Sequence, residues 1–206
     1  MPPPSQSTIP PSRPDIVAFM TLASSRLGIP LPPPKDIFSF AAGSPPHAVN
    51  TSLRRAILGI KTATTSWPVP SPLYWSVGDL SVILDGEGRP GAVMRTLELK
   101  ECAFGDVDKE FAEAEGEGDY ESYKRGHVEF YRRTEGSVGE VFGEGSLVLC
   151  ERFEVIFPRR GDPEGERWWD DERWNEGEEG IGKEGEGEGD VKGEGNGEEG
   201  KDRVNV

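Results

Sequence analysis

The sequence predicts an α+β fold: a small, mostly antiparallel β-barrel with flanking helices. Two observations predict it. About five short β-rich runs occur along the chain, and segments of helical periodicity are bunched between them, an order typical of antiparallel sheets rather than doubly wound parallel ones. In addition, no glycine-rich phosphate fingerprint stands between a strand and a helix, which argues against a dinucleotide-binding fold.

Charge and proline content divide the 206 residues into three parts. Residues 1–13 form a Pro/Ser-rich leader. Residues 161–206 carry 17 acidic and six basic residues, and so hold most of the net charge of −15. Because these two segments have too few aliphatic residues to offset their ordering entropy, we expect both to be disordered. Residues 14–160 remain as the folded domain. Three tryptophans early in the tail could mark a short docking element: Trp168, Trp169 and Trp174. The alternative is that they are aromatic residues of a disordered tail.

The helices of this domain follow from apolar periodicity and from the residues that end each run. Apolar residues at helical spacing begin after Pro14 and stop at Gly28, which predicts the first helix. A second helix follows Pro46 and ends at Gly59. Two further segments have the same periodicity: residues 105–115 and 120–133.

The strands follow from β-branched content and alternation. Residues 80–84 and 92–99 flank a glycine-rich turn, which predicts a hairpin. Residues 147–157 alternate in hydrophobicity and predict the last strand. Two shorter strands are predicted at residues 37–40 and 61–67, the second because of its threonine content.

Composition excludes several function classes. No apolar run approaches the roughly 18 residues that a membrane span needs, and the proline-rich start lacks the apolar core of a signal peptide, so we expect an intracellular protein with no membrane partner. The irregular spacing of Cys102, Cys150, His47 and His127 matches no zinc pattern, so we expect no metal or cofactor. The negative net charge also argues against sequence-blind DNA coating.

The densest group of reactive side chains lies at residues 59–66, where a helix ends and a strand begins. A threonine hydroxyl becomes a nucleophile when a base takes its proton, and a partly desolvated lysine can be that base. Lys61 and Thr64 converge only if the chain turns at the first residues of the strand, because residues three apart in an ideal strand face opposite ways. The alternative is a lysine that favours a helix C-terminus, followed by threonines that favour a strand.

At this stretch the chain resembles an ASCH domain, a member of the PUA-like superfamily of small RNA-associated β-barrels. The family signature is approximately G-x-K-x-x-[E/T]-x-R, and Gly59, Lys61 and Thr64 match it. Ser66 stands where the signature has arginine. Further motifs follow in the family's order: residues 77–82, 85–90, 93–96, 111–119 and 150–155.

The resemblance implies an activity and a site. Some members of the family are amidohydrolases that remove the acetyl group from N4-acetylcytidine with a lysine, a threonine and a glutamate, which fall here on Lys61, Thr64 and Glu115. The implied mechanism is nucleophilic: Lys61 accepts the Thr64 proton, Thr64 attacks the acetyl carbonyl, and Glu115 relays a proton to the leaving amine or holds the pyrimidine edge. The alternative for Glu115 is a solvated carboxylate, one of several in this segment.

Other side chains are candidates for substrate binding. Trp67 and Trp75 could stack on a pyrimidine, and Arg95 could replace the cation missing at Ser66. Ordinary packing is the alternative for Trp67, and an exposed strand position is the alternative for Arg95. His127 lies in an aromatic-rich helix, where a structural role is the expected one.

Two hypotheses follow. The first is an amidohydrolase acting on N4-acetylcytidine or a related acylated pyrimidine nucleoside. The second is a non-catalytic PUA-like module that binds RNA or a modified nucleotide, with the acidic tail competing for its basic surface. The small negative charge of residues 1–160 favours a small-molecule nucleoside over a long polyanion. The sequence names no partner for the tail.

Overall fold

The computed structural model describes residues 9–133 and 139–169. The chain divides into a unit of Met1–Asp170 and a unit of Asp171–Val206, and the described residues all belong to the first. Its helices are α1 (Pro14–Leu27), α2 (Pro46–Ile57), α3 (Lys109–Ala114), α4 (Tyr120–Arg132) and α5 (Glu166–Trp169), with 3-10 turns at Phe104–Asp106 and Pro163–Gly165. Its strands are β1 (Asp36–Phe38), β2 (Ala63–Ser66), β3 (Leu80–Leu84), β4 (Pro90–Ala103) and β5 (Leu147–Phe157).

The five strands form one sheet in the order β1-β3-β4-β5-β2. Three of the four pairings are antiparallel, and only β1 and β3 run parallel. The fold is therefore α+β and mostly antiparallel, as the sequence predicts. The prediction of a closed barrel is wrong, because β1 and β2 remain at opposite edges of the sheet. Closure of a barrel requires the two edge strands to pair with each other. Here the edge strands have only three and four residues.

Two apolar clusters hold the helices on this sheet. One joins α3 and α4 to β2 and β5, and Phe104, Tyr123 and Val148 are fully buried in it. The other joins α1 to β3, and Ile16 and Val82 are fully buried there. The predicted helix at residues 105–115 is divided into a 3-10 turn and the shorter α3. Asp108 begins α3, and its carboxylate accepts a hydrogen bond from the Phe111 N–H, as expected of an N-cap.

The folded unit continues beyond residue 160, where the sequence places the start of the acidic tail. Trp168 is 3% exposed, and its carbonyl accepts a 2.8 Å hydrogen bond from Arg54 Nε of α2. Arg167 lies over the Trp168 ring and 3.4 Å from Asp85 in the β3–β4 turn. Trp168 therefore packs against the folded unit. Leader residues 1–8, Trp174 and the remaining tail lie outside the described residues.

None of the described helices has the length and apolar character needed to cross a membrane.

Truncation tests this end of the unit. Deletion of residues 161–206 exposes the surface that Trp168 covers, so we expect a loss of about 3 kcal/mol or more in the free energy of unfolding. Deletion of residues 171–206 is the matched control and should leave stability within roughly 0.5 kcal/mol of the full chain. Urea denaturation measures both. Equal stability of the two truncated chains would contradict the docking of Trp168.

Candidate active site

Lys61 lies in a short turn between α2 and β2. After α2, Gly59 takes a positive φ of 74°, and the Arg55 carbonyl accepts hydrogen bonds from the N–H groups of Ile60 and Lys61. This turn precedes the first strand residue, Ala63. Lys61 therefore precedes the strand that contains Thr64, so the alternation of an ideal strand is not imposed on this pair of residues.

Glu115 is brought to Lys61 by the turn that ends α3. The Thr62 N–H donates to the Ala114 carbonyl at 2.7 Å, which joins the start of β2 to the end of α3. The next residue after Glu115 is Gly116, with a φ of 71°. A Cβ at Gly116 would lie 2.8 Å from the Ile60 carbonyl oxygen. Glycine is therefore required here both for its backbone conformation and for the close approach of the two segments.

Lys61 and Glu115 form a buried ion pair. The distance from Lys61 Nζ to Glu115 Oε2 is 2.5 Å, and each side chain is only 2% exposed. Lys61 Nζ also lies 3.4 Å from the Glu115 carbonyl oxygen and 3.8 Å from Glu117 Oε1. Loss of one partner from a buried pair leaves an uncompensated charge, which is strongly destabilising. The pair therefore fixes the relative positions of the two segments.

The second oxygen of Glu115 lacks a hydrogen-bond donor. No donor within the described part of the chain bonds Glu115 Oε1. His127 Nε2 is 3.5 Å away, which allows charge attraction but is too long for a well-formed hydrogen bond. Burial alone would raise the pKa of Glu115, but the charges of Lys61 and His127 outweigh burial and lower that pKa to about 2. Glu115 is therefore an anion with one oxygen free to accept a hydrogen bond.

A cavity of about 210 Å³ opens beside this pair. Lys61, Thr64 and Glu115, the predicted catalytic residues, all line it. Thr64 is half-buried on β2. The cavity is smaller than the roughly 300–1,000 Å³ pockets that hold drug-sized ligands, so it suits a small ligand or one group of a larger one. Its other lining residues are Phe40, Ala41, Thr65, Glu117, Gly126, His127, Phe130, Tyr131 and Arg133.

The three predicted substrate-binding residues do not line this cavity. Trp67 is 9% exposed and packs edge-on against Tyr131 and Phe142 in the core, so its ring does not present a free face to a base. Trp75 is also buried and contacts Tyr74. Arg95 instead forms an ion pair with Glu154 across the β4–β5 ladder at 3.0 Å. Its charge therefore does not replace the signature arginine at the cavity.

Helix α4 supplies site residues to which the sequence analysis gave no catalytic role. His127 is 8% exposed, and its Nδ1 lies 3.0 Å from the Tyr123 carbonyl oxygen. Tyr131 donates its hydroxyl to the Thr65 carbonyl at 2.6 Å, and the hydroxyls of Tyr123 and Thr65 are 2.8 Å apart. Tyr123, His127 and Tyr131 are each four residues apart, a spacing that predicts one shared face of the helix.

Aromatic rings from two segments complete the wall. Phe40 stacks on Phe153 at 5.5 Å between centroids, and Lys61 Nζ lies 5.2 Å from the Phe40 centroid. Phe130 lines the cavity from α4.

The described residues contain no cluster of three His, Cys, Asp or Glu side chains suited to a metal ion. Cys102 and Cys150 carry free thiols, with sulfur atoms 3.8 Å apart between neighbouring strands.

The close approach at Gly116 can be tested by substitution. Gly116→Ala adds both a strained positive φ and a clash with the Ile60 backbone, so we expect a loss of roughly 2–4 kcal/mol in the free energy of unfolding. Gly88→Ala is the matched control, since Gly88 has a φ of 76° but nothing within 4 Å of its added Cβ. It should lose about 1 kcal/mol. Equal losses in the free energy of unfolding of the two variants, measured by urea denaturation, would contradict a destabilising clash at Gly116.

The ion pair predicts a dependence of stability on acid pH. The pKa of Glu115 falls from 4.5 to about 2 on folding, so the folded chain binds fewer protons between these values. The resulting stabilisation is complete above pH 4.5 and is lost as the pH falls toward 2. It is on the order of 3 kcal/mol. Urea denaturation at a series of pH values should show this loss in the wild type and its absence in Glu115→Gln.

Glu113→Gln provides the control for that series. Glu113 is exposed and 3.5 Å from Lys109 on the surface of α3. This variant should keep the acid dependence of the wild type. A Glu115→Gln variant with that same dependence would contradict the assignment of this stabilisation to the buried pair.

Comparison with known proteins identifies the family. The sequence profile of the ASCH domain matches residues 39–157, more than half of the chain. Among curated proteins, none matches the chain. A crystal structure of a DUF984 protein from Enterococcus faecalis V583 is similar, with a TM-score of 0.60 and 24% identity over 69% of this chain and 92% of that one.

A crystal structure of an ASCH domain from Lactobacillus crispatus JV V101 is also similar. Its TM-score is 0.53 with 24% identity, over 60% of this chain and 81% of that one. At these identities the two structures establish a shared fold. The match over residues 39–157 includes Lys61, Thr64 and Glu115. The chain therefore belongs to the ASCH domain family.

Proposed function

We propose that this protein is an amidohydrolase that deacetylates N4-acetylcytidine or a related acylated pyrimidine nucleoside. One observation carries the proposal: Lys61, Thr64 and Glu115 line one cavity although Glu115 is remote from the other two along the chain. A nucleophile, a base and an acidic group around one small concave site are the parts that acyl transfer needs.

The reaction has two steps. In the first, the Thr64 hydroxyl oxygen bonds to the acetyl carbon, Lys61 takes the hydroxyl proton, and the carbon–nitrogen bond breaks as the proton passes to the leaving amine. This leaves an acetyl ester on Thr64 and releases the free nucleoside. In the second, water attacks the ester carbonyl, which restores the Thr64 hydroxyl and releases acetate. No further reactant is required.

Glu115 is suited to hold the substrate nitrogen. The amide of N4-acetylcytidine has an N–H donor, and Glu115 Oε1 is a buried acceptor without a hydrogen-bond partner among the described residues. A hydrogen bond between them would satisfy a buried acceptor that is costly to leave unpaired. Trp67 and Trp75 do not line the cavity, whereas Phe40 and Phe130 do. We therefore expect Phe40 and Phe130 to contact the base.

The small cavity also bears on the choice between a free nucleoside and RNA. A volume of about 210 Å³ accommodates a small group, whereas a polynucleotide would require contacts outside it. Arg95, the candidate replacement for the signature arginine, is already paired with Glu154. These observations favour the small-molecule substrate, with an RNA partner as the less favoured case.

A second candidate function is a non-catalytic module that binds a modified nucleotide. The ion pair favours it, because Lys61 Nζ lies 2.5 Å from Glu115 Oε2 and is an ammonium in that pair. An ammonium does not accept the Thr64 proton. In that case Lys61 and Glu115 only hold the ligand, and the cavity binds N4-acetylcytidine without consuming it.

Acetate release distinguishes the two functions. Purified protein incubated with N4-acetylcytidine should release cytidine and acetate. Thr64→Ala removes the nucleophile and should reduce kcat by about a thousand-fold or more, while leaving the free energy of unfolding nearly unchanged. Chromatography of the nucleosides measures turnover, and mass spectrometry of the quenched wild type should show one added acetyl group on the peptide that contains Thr64.

Thr62→Ala is the matched control, since Thr62 is an equally half-buried threonine of the same segment but does not line the cavity. It should keep wild-type turnover. Absence of turnover by wild-type protein that still binds N4-acetylcytidine in calorimetry would favour the binding module. Equal loss in Thr62→Ala and Thr64→Ala would contradict the role of Thr64.

A further inference from the structure

His127 lies in an environment made of hydrogen-bond acceptors. Its Nδ1 is 3.0 Å from the Tyr123 carbonyl oxygen, and its Nε2 is 3.5 Å from Glu115 Oε1. A carbonyl oxygen only accepts, so Nδ1 must carry a proton. A neutral ring would then direct the lone pair of Nε2 at the carboxylate. The doubly protonated imidazolium removes this repulsion and places a proton toward each acceptor.

The surrounding charges favour the same form. Burial alone would lower the pKa of His127, and the charge of Lys61 also lowers it, but the negative charges of Glu115 and Glu117 outweigh both and raise it. Glu117 acts more weakly, because 33% of its side chain is exposed and screened by solvent. The titratable or charged groups around the ring are Glu115 and Glu117 after α3, Lys61 before β2, and Tyr123 and Tyr131 on α4. Arg133, which follows α4, lines the same cavity.

With an imidazolium at His127, the deeply buried part of the site would have two cations, Lys61 and His127, for one anion, Glu115. Lys61 and Glu115 are 2% and 1% exposed, and His127 is 8% exposed. If Lys61 loses its proton, His127 and Glu115 remain as a neutral pair. If His127 were uncharged, the same loss would leave the Glu115 carboxylate uncompensated in a desolvated site, which is costly. The charge of His127 would thus compensate Glu115 whenever Lys61 is neutral.

We propose that His127 is a positioning residue for the proposed hydrolysis, whose imidazolium balances Glu115 while Lys61 acts as a neutral base. This inference rests on the proposed function. The proton route is that of the first step above: from the Thr64 hydroxyl to Lys61 Nζ, and from there to the leaving nitrogen. His127 keeps both its protons throughout. Its contribution is electrostatic and acts through Glu115 and Lys61.

A pH–rate profile tests the inference. For wild type, kcat/KM should rise with pH, because the first step needs an unprotonated base to take the Thr64 proton. In His127→Gln, Lys61 must lose its proton beside an uncompensated carboxylate, so the ascending limb should move to higher pH by about one unit or more. The rate at neutral pH should fall roughly ten-fold, with recovery at alkaline pH. His47→Gln is the matched control, because His47 is exposed on α2, and its profile should match wild type.

A structural role for His127 gives a different result. It would lower kcat/KM at every pH without moving the ascending limb, and that outcome would overturn the inference while leaving the amidohydrolase intact. If wild type releases no acetate at any pH, the proposed function is overturned, and the catalytic part of this inference fails with it.

The charge of His127 has its own measurement, independent of turnover. The chain has two histidines, so NMR of protein with labelled histidine gives one signal from His127 and one from exposed His47. The His127 ring should remain doubly protonated above pH 6.5, the ordinary midpoint, and Glu115→Gln should lower its midpoint. A neutral ring at pH 6 would overturn the inference even if His127→Gln fails to fold.

Discussion

The buried ion pair between Lys61 and Glu115 is the constraint on which the rest of the site depends. It joins the turn before β2 to the turn after α3, and both charges are almost completely removed from water. Such a pair does not have to add net stability, but breaking it is costly. Its geometry also leaves the second carboxylate oxygen 3.5 Å from His127 Nε2, beyond the distance of a well-formed hydrogen bond. The same interaction thus holds two segments together and places a buried pair of opposite charges at the wall of the cavity.

Much of the fold could be predicted from the sequence because its signals are local. Gly28 ends α1 with a left-handed conformation, and the glycine-rich turn after Leu84 joins β3 to β4 as periodicity indicates. Barrel closure could not be predicted in this way. It depends on whether two edge strands meet, and neither the three residues of β1 nor the four of β2 contain that information. The family assignment from separated motifs is confirmed by the match over residues 39–157.

The site was partly predictable for related reasons. The alternation of β2, continued to Trp67, places this residue on the buried side with Ala63 and Thr65. Its core position could therefore be predicted from the strand period. That period does not support stacking of Trp67 on a ligand beside Thr64. The contact between Lys61 and Glu115 required the family resemblance, because 54 residues separate them. The charge environment of His127 could not be predicted from the sequence, because it depends on the three-dimensional positions of a backbone carbonyl and a carboxylate.

The contacts of Tyr131 and Ala114 have a consequence beyond ligand binding. β2 is an outer strand of the sheet, and an uncovered outer strand offers its backbone as a template for another chain. Here the Tyr131 hydroxyl occupies the Thr65 carbonyl of β2, and the Ala114 carbonyl occupies the N–H of Thr62, just before the strand. The segments that build the cavity therefore also obstruct intermolecular strand addition. Substitutions on this side of α4 would then carry a risk of self-association, separate from any effect on chemistry.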